Sequence, residues 1–126
     1  MKLHSSMEVQ GELLLITIDG DLSFDADWNV LKDVYDTAER KRLNLILIDM
    51  LAAQGVLTTL ERYRLGTQSA TYLQSRRMNP KIAFVGKPPA LDGFGVLVGK
   101  NRGVNAETFS NRDEALNWLG LGKNEP

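Results

Sequence analysis

The sequence predicts an α/β fold, with a mixed, largely parallel sheet of about five strands and about four helices in the order β-β-α-β-α-β-α-β-α. The run "NLILIDM", which begins at Asn44, is apolar without alternation, as is typical of a strand covered on both faces. Segments with strand and helix patterns then alternate along the rest of the chain. That alternation favours parallel strands joined by right-handed crossover helices.

The first segment, "MEVQGELLLITID", predicts a β-hairpin. Its first strand is short and ends near Val9, and a turn over Gln10 and Gly11 leads into a second strand. This second strand is rich in β-branched residues, which favour strands, and Gly20 is expected to end it. Residues 1–6, which precede the hairpin, are expected to be loose.

The next helix is predicted by "SFDADWNVLKDVYDTAERKR", with Asp25 or Asp27 as its N-cap. The helix after the buried strand is predicted by "TTLERYRLGTQSATYLQSRR", in which Gly66 is either a weak point or a close-packing site. The apolar stripe of the first helix comprises Trp28, Leu31, Val34, Tyr35 and Ala38. The inner face expected for the second comprises Leu60, Tyr63, Thr67, Ala70 and Leu73.

The last third of the chain continues the alternation. "KIAFVG" predicts a second buried strand, "ALDGFGVLVGKNRG" a short helix loosened by glycine, and "VNAETF" an edge strand. "SNRDEALNWLG" predicts a final helix capped by Ser110 or Asn111. The whole chain, 1–126, is expected to form a single domain with a loose tail at 121–126.

Composition limits the chemistry of the 126-residue chain. Fifteen basic and sixteen acidic residues give a net charge of -1, so no overall field attracts nucleic acid. The absence of cysteine excludes disulfides and thiolate catalysis, and the single histidine, His4, leaves no basis for a histidine-rich metal site. We therefore expect no enzyme activity, no cofactor and no metal.

We expect no signal peptide and no membrane span in this chain. Its start has no apolar core long enough for a signal peptide, and no run approaches the roughly 18 apolar residues of a membrane span. We expect a cytoplasmic protein, and peripheral association with a membrane stays open.

Four segments, taken in order, resemble the STAS domain superfamily and, within it, the SpoIIAA-like family of small stand-alone proteins. They are "DGDLSFDAD", "LILIDMLAAQGVLTTLERYRLG", "KIAFVGKPP" and "FGVLVGKNRGVNAETFSNRDEALNWL", which together cover nearly the whole chain. The resemblance implies an α/β regulatory module that acts by protein–protein interaction. It implies an anti-sigma-factor-antagonist-like component, with an anti-sigma-like regulator as its partner.

The resemblance also implies a site of phosphorylation. We align Asp49 with the acidic residue that the family carries on the corresponding strand. In this alignment, Thr58 and Thr59 occupy the positions of the two serines in the family's "DSSG" motif. Leu57 stands at the acid of that motif, and Leu60 stands at its glycine. Thr59 is then the first candidate phosphoacceptor and Thr58 the second. The sequence alone offers another interpretation of Thr58, because Thr58 and Glu61 have the spacing of a helix capping box.

Other candidate sites follow from the residues themselves. Asp49 ends a central strand, where open α/β sheets place their sites, although anchoring of the following loop is the alternative. A pocket for an anion is a further candidate. It would be lined by the cations Lys87, Lys100 and Arg102, and helix N-terminal amides near Leu91 would donate hydrogen bonds to the anion. Stiffening of this connection by its two prolines is the alternative. The acids between Asp19 and Asp27 suit turns and helix caps better than a cation site.

The segment 91–99 is apolar on more than one helical face, through Leu91, Phe94 and Leu97 among others, and it contains three glycines. It is either a core helix or a lid over an apolar ligand. Two functions therefore stay open. One is the protein-interaction module, and the other is a carrier or sensor of a lipid or other apolar small molecule. Homodimer formation is left open as well.

Overall fold

The structure, a computed structural model, describes residues 2–122. The strands are β1 (His4–Gln10), β2 (Leu13–Asp21), β3 (Leu45–Gln54), β4 (Lys81–Val85) and β5 (Asn105–Phe109). The helices are α1 (Phe24–Lys41), α2 (Thr59–Ser75), α3 (Phe94–Asn101) and α4 (Arg112–Trp118). The predicted α/β class and the predicted order of elements are confirmed.

The strands form one sheet in the order β1-β2-β3-β4-β5. Strand β1 pairs antiparallel with β2, as the predicted hairpin requires, and the remaining pairs are parallel. Strand β3 lies in the middle, and Ile46, Leu47 and Ile48 are fully buried on its two faces. The unbroken apolar run therefore marks the central strand, as predicted.

The two faces of the sheet carry different layers. Helices α1, α2 and α3 cover one face, and α4 covers the other. The core of the first face includes Leu14, Ile16, Leu31, Val34, Tyr35, Ile46, Ile48, Leu73 and Ile82. The core of the second includes Leu13, Leu15, Leu47, Ala83, Val85, Ala115 and Leu119.

The start of α1 differs from the prediction. The N-cap is Ser23, whose side chain accepts a hydrogen bond of 3.3 Å from the backbone N–H of Ala26. Ser23 has the extended backbone of a cap, and the helix begins at once with Phe24. The predicted N-cap role of Asp25 or Asp27 is wrong, and Asp27 lies instead on the buried face of the helix.

The inner face of α2 is also rotated from the prediction. Leu60 is 62% exposed and Tyr63 41% exposed, so their predicted place on the inner face is wrong. The buried positions are Gly66, Ser69, Ala70 and Leu73, which share one helical face, and the small side chains of the first three let α2 approach its neighbours closely.

The two ends of the chain were expected to be loose. This expectation is wrong for His4–Ser6, which belong to β1 and pair with Thr17–Asp19. Gly20 does not end the second strand, which continues to Asp21. Residue 1 and most of the predicted tail, residues 123–126, lie outside the described residues.

Candidate functional site

The junction between β3 and α2 is a capped helix start. The Thr58 hydroxyl accepts from the Glu61 N–H at 3.1 Å, and the Glu61 carboxylate accepts from the Thr58 N–H at 2.8 Å. This is the capping box that the sequence predicted. Thr58 therefore has a structural role whether or not it has another.

Four residues at this junction form an exposed surface, which we call the α2 entry surface: Val56, Thr58, Thr59 and Leu60. Val56 is 60% exposed and Leu60 is 62% exposed. Thr59 is the first residue of α2, and a guanidinium nitrogen of Arg62 lies 3.5 Å from its hydroxyl oxygen. A helix N-terminus beside a cation is an environment that stabilises a phosphate group.

Asp49 lies elsewhere, on the face of the sheet that α4 covers. It is 7% exposed, and one carboxylate oxygen accepts from the Leu51 N–H at 2.9 Å. The other oxygen is 2.6 Å from Nε of Arg112, at the start of α4. Asp49 lies inside β3, which continues to Gln54, and it holds the backbone at Leu51 and the start of α4. The predictions that Asp49 ends the strand and that it lies on a ligand or partner surface are therefore wrong. The sequence could not reveal Arg112 as the partner, because 63 positions separate the two residues.

The predicted anion pocket is not formed. Lys87 follows the carboxyl end of β4, whereas Lys100 and Arg102 precede the amino end of β5, which is the opposite end of parallel strands. Lys100 pairs with Glu107 at 2.5 Å, and Arg102 donates to the Tyr63 hydroxyl at 2.9 Å. Helix α3 begins at residue 94, so no helical amides lie near residue 91.

An apolar cavity lies between the sheet and helices α1, α2 and α3. Its volume is about 100 Å³, which is below the range of about 300–1,000 Å³ typical of small-molecule sites. Leu57 and Leu91 line it, so two residues of the predicted ligand surface meet there. The other two apolar candidates do not line it: Phe94 is half-buried outside it, and Leu97 is 51% exposed.

The Tyr35 hydroxyl and the Asp27 carboxyl group both line the cavity, but only the hydroxyl has a hydrogen-bond partner for each of its buried polar atoms. The Tyr35 hydroxyl donates to Ser69 Oγ at 2.9 Å, and burial raises the pKa of Tyr35 to about 12. Asp27 is 7% exposed, and no atom in residues 2–122 forms a hydrogen bond with its Oδ1. Burial, and secondly the charge of Glu61, raise the pKa of Asp27 to about 7.

Arg62 is the cation of the cavity wall. It donates to the Leu57 carbonyl oxygen at 2.5 Å and lies 3.4 Å from the carboxylate of Asp92. The side chain thereby ties the loop before α2 to the loop before α3. Its Nε is buried and, within residues 2–122, has no hydrogen-bond acceptor.

Glycines bring α2 and α3 into direct contact. A Cβ atom at Gly66 would lie 2.6 Å from the carbonyl oxygen of Gly95, and one at Gly95 would lie 3.1 Å from that of Arg62. Gly93, the N-cap of α3, has a φ of +88°. These glycines thus permit a close approach and a left-handed turn, and the expectation that glycine loosens α3 stays a prediction.

Sequence reasoning missed the polar groups of the cavity. Asp27 shares the helical stripe of Leu31, Val34, Tyr35 and Ala38, so an acid on an apolar face was a visible signal. Assigning Asp27 to the cap concealed it. Arg62 gave no signal, because its partners come from loops whose approach depends on the tertiary fold.

The described part of the chain contains neither a metal cluster nor a membrane span. Within residues 2–122, no group of three or more His, Asp or Glu side chains is placed to hold a metal ion. No helix in this part is long and apolar enough to cross a bilayer.

The architecture defines a class by its fold, which is SpoIIAA-like. An anti-sigma factor antagonist from Mycobacterium paratuberculosis matches with a TM-score of 0.62 at 13% identity, over 94% of this chain and 95% of its own. A protein with a SpoIIAA-like fold from Shewanella loihica matches with a TM-score of 0.55 at 14% identity, over 93% of each chain. No family model matches the sequence, and no curated protein matches it significantly.

We predict that Asp27 lowers the stability of the protein as the pH rises from about 4 to about 7. The unfolded chain releases this proton near a pKa of 3.8, whereas the folded chain keeps it until about pH 7. The folded state therefore binds more protons in this window, and the free energy of unfolding falls by at most about 1.4 kcal/mol per pH unit.

Asp27→Asn should remove this part of the pH dependence, since the amide does not titrate. Urea unfolding between about pH 4 and pH 8 measures the effect, with Asp33→Asn as an exposed control on the same helix. Parallel curves for the wild type and Asp27→Asn would contradict the prediction.

Proposed function

We propose that this chain is a non-catalytic regulatory module of the STAS type, which binds a protein partner such as an anti-sigma-like regulator. The observation that carries the proposal is the α2 entry surface, where Val56 and Leu60 expose aliphatic side chains beside Thr58 and Thr59. Exposed apolar groups among polar ones are suited to a protein interface. The likeness in fold to an anti-sigma factor antagonist supports the same class of function.

Control of this surface by phosphorylation is part of the proposal. Thr59 is exposed, stands at the N-terminus of α2 and lies near the Arg62 guanidinium. A phosphate there would find free backbone N–H groups and a positive charge. It would also add negative charge between Val56 and Leu60, which a partner would have to desolvate.

Thr59→Glu and Leu60→Asp should weaken association with the partner, since each places a carboxylate on the α2 entry surface. Thr59→Ala should preserve association, because it adds no charge. Thr58→Ala should lower stability by about 1 kcal/mol through loss of the cap but leave association intact. Pull-downs from extracts of the source cell, quantified for each variant, measure these effects.

The matched control is Val9→Asp, which places the same charge at another exposed aliphatic residue, on β1. It should retain the partners of the wild type. If Thr59→Glu, Leu60→Asp and Val9→Asp all recover the wild-type partners in equal amounts, the α2 entry surface is not the interface.

A second candidate function is the binding of an apolar ligand, and the cavity favours it. Leu91, Gly93, Gly95 and Val96 line the cavity, so the segment predicted as a lid forms part of its wall. The remaining lining is mostly apolar, which suits a small hydrocarbon, whereas a lipid chain would require the cavity of about 100 Å³ to widen. In this candidate function, the loop before α3 and the first turn of α3 open to admit the ligand.

If this segment is a lid, the amides of α3 should exchange hydrogen faster than those of Leu45–Ile48 in β3, because a lid opens without global unfolding. Toluene, as a purely apolar probe, should slow this exchange by stabilising the closed state. Helix α4, which lies on the other face of the sheet, is the control. Exchange in α3 that toluene leaves unchanged would contradict the ligand function.

Alanine substitution of the α3 glycines does not test this idea. Gly93 requires a positive φ, and Gly95 faces the backbone of Arg62 at close range. Alanine would strain both positions instead of stiffening the helix.

A further inference from the structure

We propose that the cavity binds an apolar molecule that carries a hydroxyl group, and that Asp27 Oδ1 is the hydrogen-bond partner of this hydroxyl. The inference rests on the second candidate function, since it requires the cavity to accept a ligand, and it adds the chemical class of that ligand.

Asp27 supplies the first step of the argument. Asp27 is only 7% exposed and lines the cavity, and its Oδ1 has no hydrogen-bond partner among residues 2–122. A buried polar atom without a hydrogen bond destabilises a protein. Ser69 satisfies the neighbouring Tyr35 hydroxyl, whereas Oδ1 of Asp27 is left without such a partner among residues 2–122. A ligand that supplies a hydrogen bond there removes this cost.

The protonation of Asp27 selects the kind of polar group. Burial and Glu61 raise the pKa of Asp27 to about 7, so both forms of the carboxyl group occur near neutral pH. The ionised form only accepts hydrogen bonds, whereas the protonated form also donates one. A hydroxyl group serves both forms, because it donates one hydrogen bond and accepts others.

Charged groups fit this position less well. A ligand carboxylate would be repelled by ionised Asp27 and by Glu61. An ammonium group would pair with the ionised form alone and would lose its hydration in an apolar cavity. The remaining lining is mostly aliphatic or aromatic, which suits the hydrocarbon part of an alcohol.

Arg62 defines the competing outcome. Its guanidinium is held by the Leu57 carbonyl and by Asp92, and its buried Nε–H is a free donor. An anionic ligand would bind this cation in preference to Asp27. An alcohol and a carboxylate of equal chain length therefore distinguish the two polar groups of the cavity.

Binding of n-octanol, octanoate and toluene to the full chain, followed by NMR shifts of backbone amides near the cavity, tests the proposal. The wild type should bind n-octanol more tightly than octanoate. Asp27→Leu, which removes the hydrogen bond but keeps an apolar side chain of similar size, should weaken n-octanol binding about tenfold. It should leave toluene binding unchanged.

Two further variants complete the design. Asp27→Asn should retain n-octanol binding, because an amide both donates and accepts, and it provides a variant with nearly the native shape. Asp33→Leu is the control, because it replaces an exposed aspartate of α1 by leucine. It should leave the binding of all three probes unchanged. The NMR spectrum of each variant reports whether it is folded.

The outcomes separate this inference from the candidate function on which it rests. Toluene binding together with n-octanol binding that Asp27→Leu does not weaken would overturn the hydroxyl assignment and leave an apolar site. Tighter binding of octanoate than of n-octanol would overturn it in favour of Arg62. Failure of all three probes to bind would overturn the ligand function as well.

Discussion

The direct contact of α2 with α3 at Gly66 is the constraint on which the functional part of the structure depends. No side chain separates the two backbones, and a Cβ at Gly66 would lie 2.6 Å from the Gly95 oxygen. The two helices therefore form one wall beside the sheet. Its outer side carries the α2 entry surface, and its inner side, together with α1 and the sheet, encloses the apolar cavity. An alanine at Gly66 would alter both sides at once.

Arg62 connects the two sides of that wall. Its guanidinium lies near the Thr59 hydroxyl on the outside, and it holds the Leu57 carbonyl and Asp92 beside the cavity. A phosphate on Thr59 would compete with these partners for the same cation. Arg62 therefore belongs to the surroundings of both the α2 entry surface and the cavity.

The sequence predicts the layers of this protein better than its sites. The apolar run of β3 and the alternation of elements need only local patterns, and both are confirmed. The Thr58 capping box is also local. The pairing of Asp49 with Arg112 joins distant segments, so no local pattern could reveal it. Ser23, Asp25 and Asp27 all have side chains that suit a helix cap, and only the tertiary structure shows that Ser23 is the cap and that Asp27 is buried.

We propose that the α2–α3 wall receives an apolar ligand or a phosphate in the cell. Mass spectrometry of the protein purified from its source, under native and then denaturing conditions, tests it most directly. An apolar ligand should add a mass that is lost on denaturation, because it is held without a covalent bond. A phosphate on Thr59 should add a mass that persists and maps to that residue. The unmodified mass under both conditions would contradict both the bound ligand and the phosphorylation of Thr59.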